Sequence, residues 1–196
     1  MASVISLNSN QRALVVGHLG GIVRKLQRAV FLASDYNWLV LNSGVFDPNI
    51  SSSEILIRLD LLASIPQMTY VIGRSDYLTY VYSNCTEYIT WFEQQCNLAI
   101  LSFPSREVLI LDGGLSNNLS RQQLENNIEL GFISNIDNKP WHQSYNGGLG
   151  FAISNNPPTN SPKHWKYSVQ LGSKNRAQVF AQEVDGIGLK RILTLC

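Results

Sequence analysis

Residues 14–21 read LVVGHLGG, and this stretch decides the fold. Three apolar residues followed by a glycine-rich turn are typical of a strand that is buried on both faces and ends tightly. Apolar side chains then recur at helical spacing, so that one face of the next segment carries Ile22, Leu26, Ala29, Val30 and Ala33. A strand, a turn and an amphipathic helix in this order predict the first β-α unit of a parallel sheet.

Two further units of the same kind follow. Residues 38–41 form a second apolar strand, and residues 51–54 (SSSE) have the capping-box pattern that begins a helix. Residues 68–72 form a third apolar strand that ends at a glycine, and a long helix is predicted over residues 76–96. The order predicts that strands 12–16, 38–41 and 68–72 are adjacent and parallel, with right-handed crossovers.

The second half of the chain changes character. A hairpin is predicted from residues 98–103 and 106–111, which flank a Pro-Ser turn. We further expect a helix over residues 120–131, and Asn/Pro/Gly/Ser turns separate four short segments expected to be antiparallel strands: 149–153, 166–171, 176–183 and 187–195. Residues 1–10 are polar and are expected to be irregular. Without a linker or repeat, residues 1–196 are predicted to form one domain.

Composition limits the function classes. The chain has 196 residues, 44% hydrophobic and 15% charged, which predicts a folded domain, and its net charge of +1 gives no general attraction to nucleic acid. No apolar stretch reaches the length of a transmembrane helix and no secretory signal is visible, so no membrane insertion is expected. Three cysteines without metal spacing suit a reducing compartment. We therefore expect a soluble, cytoplasmic protein.

Five glycine- or proline-bearing turns, in order, resemble the motifs of the calcineurin-like metallophosphoesterases. The segments are 17–21 (GHLGG), 42–46 (NSGVF), 73–76 (GRSD), 111–115 (LDGGL) and 155–158 (NNPP), set against the family's Gly-Asp-x-His-Gly, Gly-Asp-x-x-Asp, Gly-Asn-His-Asp/Glu, Val-His-Ala-Gly-Leu and Gly-His-Thr-Pro. The likeness covers residues 12–195 and is greatest to the subset with bacterial serine/threonine phosphatases and diadenosine tetraphosphate hydrolases. It implies a four-layer α/β/β/α sandwich with mixed sheets.

The resemblance also implies that most metal ligands have been exchanged. The positions that form its pocket are His18, Gly20, Ser43, Arg74, Asp76, Asp112 and Asn156, with Ser75 where the family has its catalytic histidine. The bridging aspartate falls on Ser43, and Asp47 matches only with a shift of one position. Arg74 adds positive charge where cations would bind. Because two-metal hydrolysis needs most ligands together, we expect no catalytic residue, metal or cofactor.

The resulting hypothesis is a pseudophosphatase, not an enzyme, that acts as a protein-binding subunit or scaffold in a larger assembly. Its expected partner surface contains Trp141, Tyr145 and Trp165, because loop aromatics often anchor interfaces. Three alternatives stay open. They are an active phosphoester hydrolase with a rebuilt metal site, a phosphate or nucleotide sensor using Arg74 and the amides of residues 17–21, and a Ser-His-Asp arrangement of His18, Ser43 and Asp112.

Overall fold

The computed structural model describes residues 2–112, 151–154, 167–170 and 179–195. One five-stranded sheet has the order β10-β9-β2-β3-β4. Its strands are β2 (Arg12–Val16), β3 (Trp38–Asn42), β4 (Met68–Val71), β9 (Val179–Asp185) and β10 (Gly188–Leu195). Strands β2, β3 and β4 are adjacent and parallel, which confirms the prediction, whereas β9 is antiparallel to both β2 and β10.

In the described residues, helix α1 (Val23–Ala33) follows β2 and helix α2 (Ser52–Ala63) follows β3. Helices α3 (Arg74–Tyr82) and α4 (Thr86–Glu93) come one after the other behind β4. The predicted capping box begins α2, since Ser51 Oγ accepts from the Glu54 amide and the Glu54 carboxylate accepts from the Ser51 amide. The single helix predicted over 76–96 is wrong. Ser83 is extended and its Oγ accepts a hydrogen bond from the Cys85 amide at 3.1 Å, which replaces a helical bond and separates α3 from α4.

The second sheet has the order β1-β5-β6-β7-β8. Its strands are β1 (Ala2–Ser6), β5 (Leu98–Phe103), β6 (Arg106–Leu111), β7 (Phe151–Ser154) and β8 (Tyr167–Gln170). The β5–β6 hairpin is confirmed. Two expectations are wrong. Residues 1–10 are not irregular throughout, because β1 pairs with β5 and Ile5 is buried, as is Leu7 just after the strand. Strands β7 and β8 run parallel to β6, not antiparallel as expected.

Alternate residues of the central strands enter two different cores. Ala13, Val15, Val40 and Val71 pack toward the second sheet, in a cluster with side chains from β5 and β6. Leu14, Val16, Leu39 and Leu41 pack with residues from the helices. Strands covered on both faces need continuous apolar sequence, which explains the runs in the sequence. The chain is thus an α/β sandwich with two mixed sheets and helices, as predicted.

The helix predicted over residues 120–131 lies outside the described residues. Within them, no helix combines the length and the hydropathy that crossing a bilayer requires.

Candidate functional site

The candidate site lies where the parallel strands of the first sheet end. Turns after β2, β3 and β4 meet there, as the carboxyl ends of parallel strands do. The last described residue of the β6 segment, Asp112, reaches the same place from the second sheet. The described pocket residues of the sequence prediction therefore lie at one edge of the fold, on both sheets.

A buried hydrogen bond joins the two sheets across the site. Ser43 Oγ donates to Asp112 Oδ1 at 2.7 Å, and the side-chain amide of Asn42 donates to the Leu111 carbonyl at 2.9 Å. Ser43 is fully buried and Asp112 is buried. A Cβ on Gly73 would lie 2.4 Å from Asp112 Oδ2 and 2.6 Å from Ser43 Cβ, so only glycine leaves room for this pair.

The turn after β3 has a strained backbone. Ser43 has φ 65°, in the left-handed region that residues with a side chain seldom adopt, and Gly44 follows with φ 77°. A Cβ on Gly44 would lie 2.6 Å from the His18 ring. Such strain persists only where the surroundings fix it, and it concentrates at functional sites.

His18 is held by the turns around it. Its Nδ1 accepts a hydrogen bond from the Gly20 amide at 3.1 Å, and its Nε2 lies 3.3 Å from Ser75 Oγ. Since Nδ1 is an acceptor, the neutral ring carries its proton on Nε2 and donates to Ser75. His18 in this form cannot take a proton from Ser75.

The hydrogen bonds do not follow the order of a Ser-His-Asp triad. In a triad the histidine stands between the serine and the acid. Here the Ser43 hydroxyl donates directly to Asp112, and His18 engages Ser75. The three residues of that alternative share the site, but the serine proton is directed at the carboxylate instead of at an imidazole.

Asp76 lies beneath the site and is fully buried. Its carboxylate accepts hydrogen bonds from the Tyr70 hydroxyl at 2.7 Å and the Gly73 amide at 2.9 Å, and from the Gly44 amide at 3.3 Å. Burial raises the pKa of Asp76 to about 7, and the nearby carboxylate of Asp112 adds to that rise, while the donors oppose it. The sequence pattern named Asp76 but not Tyr70, whose only sequence signal is its inward place in a buried strand.

These residues do not fit a dinuclear metal centre. Among residues 2–112 and the described strands beyond them, no three His, Cys, Asp or Glu side chains come together as a metal site. Gly20 has no side chain to contribute, and Arg74 begins helix α3. At the shifted match, Asp47 Oδ1 accepts from the backbone and side-chain amides of Asn49, at 3.1 and 3.0 Å.

The remaining predicted positions fall in other parts of the chain. Asn156 of the pocket, and Trp141, Tyr145 and Trp165 of the expected partner surface, lie outside the described residues.

Comparison with known proteins adds a fold but not a family. No family model matches the sequence, and no curated protein matches it. A solved structure described as "a putative diadenosine tetraphosphatase" is similar with a TM-score of 0.56 and 17% identity, covering 99% of this chain and 97% of that chain. The protein TT1561 of Thermus thermophilus is similar with a TM-score of 0.48 and 11% identity, over 94% of this chain and 97% of that one. The first likeness shows that this chain shares its α/β sandwich fold with that protein.

Proposed function

We propose that this chain is a catalytically inactive, metallophosphoesterase-like protein that serves as a protein-binding subunit or scaffold. One observation carries the first half of the proposal: Ser43 Oγ and Asp112 Oδ1 are 2.7 Å apart. In the sequence resemblance these are the positions of the bridging aspartate and of a histidine ligand. Two facing ligand positions thus bind each other.

The chemistry of two-metal hydrolysis explains why this contact matters. The two ions stand roughly 3.5–4 Å apart and need oxygen or nitrogen lone pairs directed at them. The Ser43 proton already occupies a lone pair of Asp112, and both residues are buried. Asp112 keeps other lone pairs, but Ser43 offers a neutral hydroxyl where a bridging carboxylate would be needed. Among the described residues, no three His, Cys, Asp or Glu side chains come together as a metal site.

The test combines metal analysis with an activity screen. Purified protein is analysed for Mn, Fe and Zn, then assayed with each ion on a phosphomonoester, a phosphodiester and diadenosine tetraphosphate. The proposal expects no stoichiometric metal and no turnover above that of the buffer. Asp112→Asn is the site variant and Asp60→Asn, an exposed acid on α2, is its matched control.

The second candidate is a phosphoester hydrolase with a rebuilt metal site. It is favoured by the similar solved structure, described as "a putative diadenosine tetraphosphatase", and by the gathering of Asp76, Asp112 and His18 at one strand edge. If Asp60→Asn keeps the turnover and Asp112→Asn loses it, this candidate is established and the proposal of an inactive protein is wrong. Equal turnover by both variants would show that the hydrolysis does not need Asp112 and would count against a metal site there.

A phosphate or nucleotide sensor is less favoured by the charges of the site. Asp76 and Asp112 are close enough for their carboxylates to interact, and the Asp76 carboxylate already caps the amino end of α3 through the Gly73 amide. An anion would meet two acids there. Binding of inorganic phosphate or a nucleotide without turnover, measured calorimetrically, would restore this alternative.

The scaffold half of the proposal rests on aromatic residues outside the described part of the chain. Trp141, Tyr145 and Trp165 are proposed to anchor a protein partner, since large aromatic side chains dominate interface energies. The tagged chain is used as bait in an extract of the cells in which the protein occurs. Alanine at any of the three positions should weaken binding of the specific partner by more than about 1 kcal/mol and so lower the amount recovered. Phe31→Ala, at an exposed ring on α1, should not. Equal recovery by all four variants would exclude this surface.

A further inference from the structure

The turn after β3 is held by an acid and a phenol. The Gly44 amide donates to Asp76 Oδ2 at 3.3 Å, and the Phe46 amide donates to Asp76 Oδ1 at 3.4 Å. Between them, the Val45 amide donates to the Tyr70 hydroxyl oxygen at 3.1 Å. Three consecutive backbone amides therefore donate hydrogen bonds to two buried side chains, Asp76 and Tyr70, which we call the Asp76–Tyr70 pair.

Every contact to the Asp76 carboxylate described above comes from a donor. Besides the two turn amides, the Gly73 amide donates to Oδ2 at 2.9 Å and the Tyr70 hydroxyl donates to Oδ1 at 2.7 Å. An ionised carboxylate is an acceptor only, so it satisfies all four. A protonated carboxyl would carry a donor of its own into this group of donors. The turn is matched to the ionised form.

The groups that face Asp76 come from each element around it. Asp112 from the second sheet is the nearby acid, and Tyr70 from β4 is the phenol that contacts the carboxylate. From α4, the Tyr88 hydroxyl donates to the Asp76 backbone carbonyl at 2.7 Å. His18 lies beyond Gly44, where it contacts Ser75. Within the described part of the chain, no cation appears among the influences on the pKa of Asp76, which burial raises first.

We propose that protonation of Asp76 releases the turn of residues 43–46 and thereby changes the shape of the candidate site. The turn begins with Ser43 in a left-handed conformation, which relaxes when its neighbours lose their partners. Relaxation of Ser43 withdraws its hydroxyl from Asp112 and loosens the connection between the sheets. Since the pKa of Asp76 is about 7, this change falls near neutral pH. The proposal rests on the proposed inactive function, because a metal ion bound by Asp76 and Asp112 would keep the Asp76 carboxylate ionised.

Hydrogen exchange of the turn amides tests the proposal. Exchange at Gly44, Val45 and Phe46 is followed by NMR or by mass spectrometry of a peptide spanning the turn, from pH 8 to pH 6. After correction for the intrinsic pH dependence, protection should fall about tenfold over that interval, because the protonated fraction rises about tenfold. Amides in the middle of β3 should keep their protection and serve as the internal control.

Two variants separate the proposal from a general effect of pH. Asp76→Asn places an amide group where the acid was, so its turn protection should be low at pH 8 and independent of pH. Asp60→Asn should behave as the unaltered chain. Should Asp76→Asn fail to fold, the unaltered chain decides alone. Constant corrected protection between pH 8 and pH 6, or a tenfold fall that persists in Asp76→Asn, would overturn the proposal.

Discussion

Replacing Ser43 tests the connection across the candidate site. Ser43→Ala removes the hydroxyl that donates to Asp112 Oδ1 at 2.7 Å and leaves the backbone conformation as it is. Losing a buried hydrogen bond to a carboxyl group costs about 1–3 kcal/mol. We therefore expect the free energy of unfolding to fall by about 2 kcal/mol.

A glycine at the same position isolates the backbone term. Ser43→Gly also loses the hydrogen bond, but φ 65° costs glycine nothing and costs other residues about 1–2 kcal/mol. Ser43→Gly should accordingly be more stable than Ser43→Ala by about 1 kcal/mol. This reverses the usual ranking, in which glycine is the less stable of the two residues.

Urea denaturation followed by circular dichroism measures both variants, and unchanged m-values would show that the denatured state is unaltered. Repeating Ser43→Ala in an Asp112→Ala background completes a double-mutant cycle, in which its cost should drop below about 0.5 kcal/mol. The reasoning is refuted if Ser43→Ala costs the same in both backgrounds, or if the glycine variant is the less stable one.

Three further predictions concern the glycine after Ser43, the cap of helix α2 and a buried thiol. Gly44→Ala should lower the free energy of unfolding by about 3 kcal/mol, because φ 77° strains any side chain and the new Cβ would lie 2.6 Å from the His18 ring; urea denaturation measures it. Ser51→Ala removes the capping box of α2 and should cost about 1 kcal/mol in the same assay, whereas no change would show that the cap contributes nothing. Burial raises the pKa of Cys96 to about 12, so native protein at pH 8 should not be alkylated there; mass spectrometry should find this label only after unfolding.

The parallel half of the fold could be predicted because its signals are local. Strands β2, β3 and β4 are largely apolar at their buried positions, and the Ser51–Glu54 box marks a helix start without reference to anything distant. The order of strands and helices then fixes the topology, since parallel connections are right-handed. Burial of both faces also explains why no polar alternation appears in these strands.

The other features depend on distant partners. Strand β1 is only five residues long, with serines among its apolar residues, and it forms by pairing Ala2–Ser6 with Leu98–Ser102 far along the chain. At the break between α3 and α4, Ser83 is extended and its hydroxyl accepts from the Cys85 amide, a contact that helical spacing does not indicate. At the site, motif order placed His18, Ser43, Asp76 and Asp112 together, but neither the Ser43–Asp112 hydrogen bond nor the role of Tyr70 follows from spacing. These depend on a left-handed residue and on side-chain directions that sequence does not specify.

The position of β9 has a consequence for how the protein is made. Strand β2 has β3 on one side, but its other side pairs with β9, so that Arg12 meets Asp185 about 170 residues later. At a synthesis rate of about 5–20 residues per second, roughly ten to thirty seconds separate the two strands. Until then, an apolar strand edge stays open to wrong pairing. The sheet is therefore completed late, and during synthesis one edge of β2 waits for a partner strand that lies near the end of the sequence.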